Sequence, residues 1–127
     1  VEHHRSLDHV AMRDQYARAS VVAVAVRPNL LVSGITVVLE AMIAGLPVVT
    51  TRTPGIEAYL TDRETAILVP PGDEAALADA VVELVRDPDA ARALGRQARA
   101  HALAHHSTAA MADALAGILA SAGFPAR

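Results

Sequence analysis

The chain has no cysteine, no tryptophan, one phenylalanine and two tyrosines in its 127 residues. Without thiols there is neither a disulfide framework nor a thiolate metal site, a usage consistent with a reducing compartment. The expectation is a cytoplasmic protein, free or peripheral at the membrane. Aromatics make up 2% and hydrophobic residues 53%, so the interior has to be built from Ala, Val, Leu and Ile. Neither sign of charge dominates: the formal net charge is −3 and both signs are scattered, which leaves no basic footprint for nucleic acid or an anionic bilayer. Apolar runs such as Val21 to Val26 fall far short of the roughly 20 residues that span a membrane. The chain opens on Val1 with no basic segment ahead of an apolar core, so no targeting peptide is expected, and it reads as a piece of something longer. Its length suits one domain and is short for a two-domain enzyme.

What is there alternates. Met12, Tyr16 and Ala19 recur at helical intervals between Asp8 and Ala19, and a nearly continuous β-branched and Ala run follows from Ser20 to Val26. A strand apolar on both faces is the mark of a parallel sheet covered by helices. A helix is expected from Gly34 to Ala44, closed by Gly45, then a strand over Leu46 to Thr50. Thr53-Pro54-Gly55 reads as a loop, Ile56 to Leu60 as a short helix, Ala66 to Val69 as a third strand, and Pro70-Pro71-Gly72-Asp73 as its stop. Beyond Asp73 only helices are expected: a stripe of Leu77, Val81, Leu84 and Val85, then a helix capped by Asp87 with Pro88 first and Leu94, Ala98 and Ala102 on its apolar face. Ser107 can cap a last helix with the stripe Met111, Leu115, Ile118 and Leu119, ended by Gly123 and Pro125. The fold class is therefore α/β, a parallel sheet with flanking helices and a helical C-terminal flank. The whole is expected to be a single partial domain, 1–72 its α/β part and 73–127 its terminal helices.

The stretch S-G-I-T-V-V-L-E-A-M-I-A-G-L-P-V-V-T-T-R-T-P-G from Ser33 to Gly55 carries the chemistry. Ser33 is expected as N-cap, its hydroxyl accepting from Ile35 or Thr36, while Gly34 lets a ligand approach the backbone. Helix-start amides without internal partners, together with the helix dipole, favour phosphate or diphosphate. Glu40, four residues after Thr36 on the same face, reads as a buried acid among Val37, Val38, Leu39 and Met42, placed to accept from the vicinal hydroxyls of a ribose. The same residues also fit an ordinary capped helix start with a half-exposed acid. In open parallel sheets ligands sit beyond the carboxyl ends of the strands, where the loops from Arg27 to Thr36 and Thr50 to Gly55 would lie.

The runs G-I-T-V-V-L-E-A-M-I-A-G-L-P-V-V-T-T-R-T-P-G-I-E and T-D-R-E-T-A-I-L-V-P-P-G-D, at this spacing, resemble the donor-binding half of retaining glycosyltransferases with the two-domain GT-B fold, the family usually numbered four. The likeness extends from about Leu7 to about Leu103. It implies a nucleotide-diphosphate sugar as donor, Gly34, Ile35 and Thr36 as the diphosphate cradle, and Glu40 as the ribose ligand. It also implies transfer with retention, no bound metal or other cofactor, an unidentified glycosyl acceptor, and an acceptor domain elsewhere in the same protein. The family's second glutamate, eight residues before the first, is Val32 here, with Asn29, Ser33 and Arg27 the nearest polar side chains. Either Asn29 or Ser33 with backbone amides takes over the sugar contact, or the chain belongs to a subgroup with different donor recognition. No catalytic residue is identifiable in this stretch, and the isolated chain is expected to transfer no sugar. The loss of that glutamate leaves open a non-catalytic interaction or regulatory module on the same scaffold, and a nucleotide-sugar epimerase is a further alternative. A dinucleotide-binding domain is disfavoured, since no G-x-G-x-x-G follows the first strand.

Other polar groupings read as structural. His3, His4 and His9 beside Glu2 and Asp8 match no ligand spacing. His105-His106 at a helix junction suit partners of a C-terminal dipole. Arg52 and Glu57 are either substrate contacts or a local ion pair, and Arg92, Arg96 and Arg99 a solvated face.

Overall fold

The computed structural model describes residues 7–28 and 32–123. Their order is α1 (His9–Arg18), β1 (Val22–Val24), α2 (Ile35–Ile43), β2 (Val48–Thr51), α3 (Pro54–Glu57), β3 (Ile67–Val69), α4 (Glu74–Arg86), α5 (Pro88–His105) and α6 (Thr108–Ser121). The three strands form one parallel sheet in the order β1-β2-β3, with Val22 opposite Val48 and Val49 opposite Ile67. The α/β class with flanking helices is as the residue pattern implied.

Local chemistry explains where the helices begin. Asp8, Asp73, Asp87 and Ser107 each accept from the amide three residues on, at 2.8 to 3.1 Å, and so satisfy one orphan donor of α1, α4, α5 and α6. Thr53 does the same for α3, so Thr53-Pro54-Gly55 is a helix start and not a loop: Pro54 stands at the first position, where its missing N–H costs nothing.

Alternation along the strands sorts their side chains onto two faces. One face carries Val48 and Leu68 and packs on Val38, Ala41 and Met42 of α2, on Ile56 and Leu60, and on Ala98 and Ala102 of α5. The other carries Val49, Ile67 and Val69 and packs on Ala80 and Leu84 of α4 and on Ala91 and Leu94 of α5. Helix α5 therefore serves both cores, its first half with α4 and its second with α2. The crossing falls at Gly95, where an added Cβ would lie 2.2 Å from the carbonyl oxygen of Gly45. Only a residue without a side chain allows so close an approach.

Three expectations about packing fail here. The first strand is short and is not covered on both faces: Ala23 is exposed and Val22 and Val24 are half-buried. Val85 is 57% exposed, since Ala80 and Leu84 make the buried stripe of α4. Helix α6 buries nothing: Met111, Leu115, Ile118 and Leu119 are all exposed. The helical period was right and its direction uncovered. Pro125 lies outside the described residues.

Candidate functional site

Two threonines tie the sheet's carboxyl edge together. Thr50 Oγ1 donates to the carbonyl of Val24 at 2.9 Å, and Thr51 Oγ1 accepts from the amide of Val26 at 3.0 Å. Both are buried, and these bonds continue the β1–β2 pairing past the end of β1. They fix the point from which the chain enters the Arg27 to Gly34 loop. Sequence reasoning passed over them because Thr in a strand ordinarily signals only β propensity.

The loop returns to α2 through Gly34, and here the expected cap is wrong. The N-cap is Gly34, in the left-handed region at φ 78°, with no side-chain hydrogen bond capping the helix. Ser33 sits half-buried in the preceding turn. A Cβ on Gly34 would come within 2.9 Å of Val24 Cγ1, so the left-handed turn and the close packing on β1 both require a glycine here. The amide of Ile35 closes a turn to the Val32 carbonyl at 3.4 Å, and regular helix bonding resumes at Val38. Among the described residues no side chain covers the first-turn amides of Thr36 and Val37. A helix start without a side-chain cap is the kind of end at which phosphate groups commonly bind. Val32 packs its side chain against the core of the first face, and Asn29 lies outside the described residues.

Glu40 is exposed, not buried. Thr36 is exposed on the same face, about 6 Å away along the axis. The apolar neighbours that made Glu40 look buried point elsewhere, Val38 inward to the core and Val37 to solvent. Its carboxylate lies in a groove of about 440 Å³ between α1 and α2, lined by His9, Met12, Arg13, Tyr16 and Ile43. There Glu40 Oε2 accepts from the Tyr16 hydroxyl at 2.9 Å. Burial, then this hydrogen bond and the charge of Glu40, push the Tyr16 hydroxyl up to about 12. In sequence Tyr16 shows only its helical spacing with Met12 and Ala19, and no local signal pairs it with a residue 24 positions on.

The remaining candidates resolve into structure. Arg52 is engaged by Glu57 at 3.0 Å and by Asp62, whose other oxygen accepts from the Leu68 amide at 2.9 Å. That is the local ion pair, and it braces the α3–β3 connection. His101 Nε2 lies 3.1 Å from the Tyr59 carbonyl and 3.3 Å from His106 Nε2. Burial, reinforced by His101, lowers the His106 pKa; His106 is the C-cap of α5 and His105 stands in its last turn. Among the described residues no group of His, Asp or Glu converges as metal ligands, and no helix is long and apolar enough to cross a membrane. His3 and His4 lie outside the described residues.

The chain is similar in sequence and fold to known proteins. A family model described as glycosyl transferases group 1 matches residues 1–87. A phosphatidyl-myo-inositol mannosyltransferase of Mycobacterium leprae is 42% identical over 88 residues, 68% of this chain and 24% of the relative. A D-inositol 3-phosphate glycosyltransferase of Corynebacterium jeikeium is 40% identical over 100 residues, 79% of this chain and 23% of the relative. Among solved structures, sucrose-phosphate synthase from Thermosynechococcus elongatus superposes with a TM-score of 0.72 at 32% identity, covering 91% of this chain and 29% of that one. The HepE protein of Anabaena in complex with UDP-glucose superposes at 0.74, with 22% identity over 87% of this chain and 30% of its own, a likeness of fold. The chain thus spans about a quarter of the length of the curated relatives it matches.

Proposed function

The chain belongs to the glycosyl transferases group 1 family, and from that premise we propose that it supplies the nucleotide-sugar-binding part of a GT-B glycosyltransferase. The observation that carries this reading is the placement of the Glu40 carboxylate one helical turn behind an uncapped helix start at the sheet's carboxyl edge. The backbone of Gly34, Ile35 and Thr36 holds the diphosphate, and Glu40 accepts from the ribose hydroxyls. UDP-glucose in the HepE complex supports a nucleotide sugar as the donor class. Asn29 or Ser33 meets the sugar, in place of the glutamate that Val32 replaces. Transfer proceeds with retention: the bond from the anomeric carbon to phosphate oxygen breaks, a bond to the acceptor oxygen forms on the same face, and the acceptor's proton passes to the departing diphosphate. The chemistry uses no bound metal, and the helix-start amides stabilise the leaving charge, a role in which one donor is worth about 2.7 to 4 kcal/mol.

In the full-length protein, Glu40→Ala is expected to weaken binding of whichever of UDP, GDP or ADP binds by about 1.5 to 3 kcal/mol, with transfer lowered in step. Calorimetry showing unchanged affinity would defeat the ribose assignment. The inward packing of Val32 favours one competing reading, a non-catalytic module on the same scaffold. That reading wins if the intact protein binds no UDP-, GDP- or ADP-sugar at millimolar concentration.

A further inference from the structure

An exposed glutamate on a helix is a poor instrument for reading a diol, because three side-chain torsions leave its carboxylate free to swing and binding has to freeze them. Glu40 is exposed, yet one of its oxygens is held. The hydroxyl of Tyr16, projecting from α1, donates to Oε2 at 2.9 Å, and Oε1 has no hydrogen-bond partner among the described residues. Tyr16 is itself anchored: its ring is half-buried and packs on the core beneath α2. We propose that Tyr16 is a positioning residue for the nucleotide, its hydroxyl orienting the Glu40 carboxylate so that the remaining acceptor sites face a ribose diol and the groove selects ribonucleotides over deoxyribonucleotides.

This deepens the ribose reading of Glu40 and rests on it. The chemistry fits, since a carboxylate has about four lone-pair sites and Tyr16 occupies one, leaving enough for two hydroxyl donors. The phenol is also a suitable fixed donor: burial and the adjacent carboxylate push its pKa up to about 12, so it keeps its proton throughout the neutral range. A merely structural role, a staple of α1 onto α2, uses the same bond and predicts something different. A staple matters equally to every nucleotide, whereas an orienting hydroxyl matters only to one that carries the diol.

The test is calorimetric, on the full-length protein. UDP, GDP and ADP are titrated first, and the tightest of them is compared with its 2′,3′-dideoxy counterpart in the wild type, Tyr16→Phe and Glu40→Gln, with thermal midpoints recorded alongside. Wild type is expected to prefer the ribonucleotide by about tenfold or more, and Glu40→Gln to abolish that preference. Tyr16→Phe, which keeps the ring, is expected to lower the preference about three- to tenfold by weakening the ribonucleotide alone, with dideoxynucleotide affinity and midpoint nearly unchanged. Preference intact in Tyr16→Phe but lost in Glu40→Gln would overturn the role of Tyr16 and leave the ribose reading standing. Equal weakening of both nucleotides by Tyr16→Phe would establish a staple and overturn it too. Preference unaffected by Glu40→Gln, or no binding by any of the three diphosphates, would remove the ribose reading and this inference with it.

Discussion

Helix α2 has a left-handed glycine at each end, Gly34 at φ 78° and Gly45 at φ 79°, and the two ends have opposite fates. At the C-terminal end, the Gly45 amide bonds the Met42 carbonyl at 2.9 Å and the Leu46 amide reaches back to Ala41 at 3.0 Å, so the last carbonyls are satisfied by the chain itself. Helix α5 then seats Gly95 directly on the Gly45 carbonyl. At the N-terminal end the same left-handed turn begins the helix with no side-chain cap on Gly34. One end is closed by the chain's own amides and by α5, while the other lacks a side-chain cap.

The largest effect should come from the closed end. Gly95→Ala places a Cβ 2.2 Å from one backbone oxygen and 3.0 Å from the Gly45 carbonyl carbon, and backbone cannot rotate aside as a side chain can. Displacing α5 from α2 should destabilise by about 3 kcal/mol or more. Urea unfolding measures it, and a loss below 1 kcal/mol would mean that the two helices do not meet so closely. Nucleotide affinity of the folded fraction should stay unchanged, because the contact lies at the far end of α2 from the open amides.

Gly34→Ala should follow, and it separates two causes at the open end. The left-handed backbone costs an alanine about 1 to 2 kcal/mol, and the 2.9 Å approach to Val24 Cγ1 adds a steric part. Because that neighbour is a side chain, the steric part should vanish in a Val24→Ala background while the conformational part remains. Unlike Gly95→Ala, this change should also impair diphosphate binding, since it alters the turn that aims the amides. Gly72→Ala supplies the control: its φ is 76° and no atom lies within 4 Å of the added Cβ, so only the same conformational cost of about 1 to 2 kcal/mol is expected, with binding unaffected. Equal stability losses for Gly34→Ala and Gly72→Ala would show that packing on Val24 contributes nothing.

The closed end was far more legible in sequence than the open one. Gly45 followed by Leu46-Pro47 announces a helix stop, and Asp73, Asp87-Pro88 and Ser107 announce starts, because capping is a local matter of one side chain and a few amides. Gly34 failed that logic: Ser33 is the better cap by propensity, and the cap moved one residue on because the turn has to pack against Val24 and Val26 of a distant strand. The apolar neighbours of Glu40 suggest a buried acid, yet a helix turns each of them in a different direction, and exposure depends on where α1 lies. The Tyr16–Glu40 bond and the Thr50 and Thr51 bonds to β1 are tertiary, and no local pattern contains them. The GT-B likeness was legible because it resides in an ordered series of local pieces.

The smallest effect is a titration at the far end of α5, and it bears on what holds that helix against α2. His106 is the C-cap of α5, with ring contacts to Tyr59, His101 and His105, and burial and the two histidines lower its pKa from 6.5. The Tyr59 carbonyl opposes that shift only in part. A lowered native pKa means that the unfolded chain binds the proton more readily, so stability rises with pH across the interval. The contribution is complete above pH 6.5 and is lost as pH falls through the lower native value. The doubly charged pair is the reason in atomic terms, since His101 Nε2 and His106 Nε2 sit 3.3 Å apart and two N–H groups cannot both point into that gap. Thermal midpoints at pH 7.5 and 5.5 should therefore differ, with the acid value lower, and His106→Gln should shrink the difference. The acid loss should appear in amide exchange at the α5–α6 junction and not at the start of α2. If it appears first at Thr36 and Val37, the two ends of α2 are coupled, and the division between a closed structural end and an open binding end does not hold.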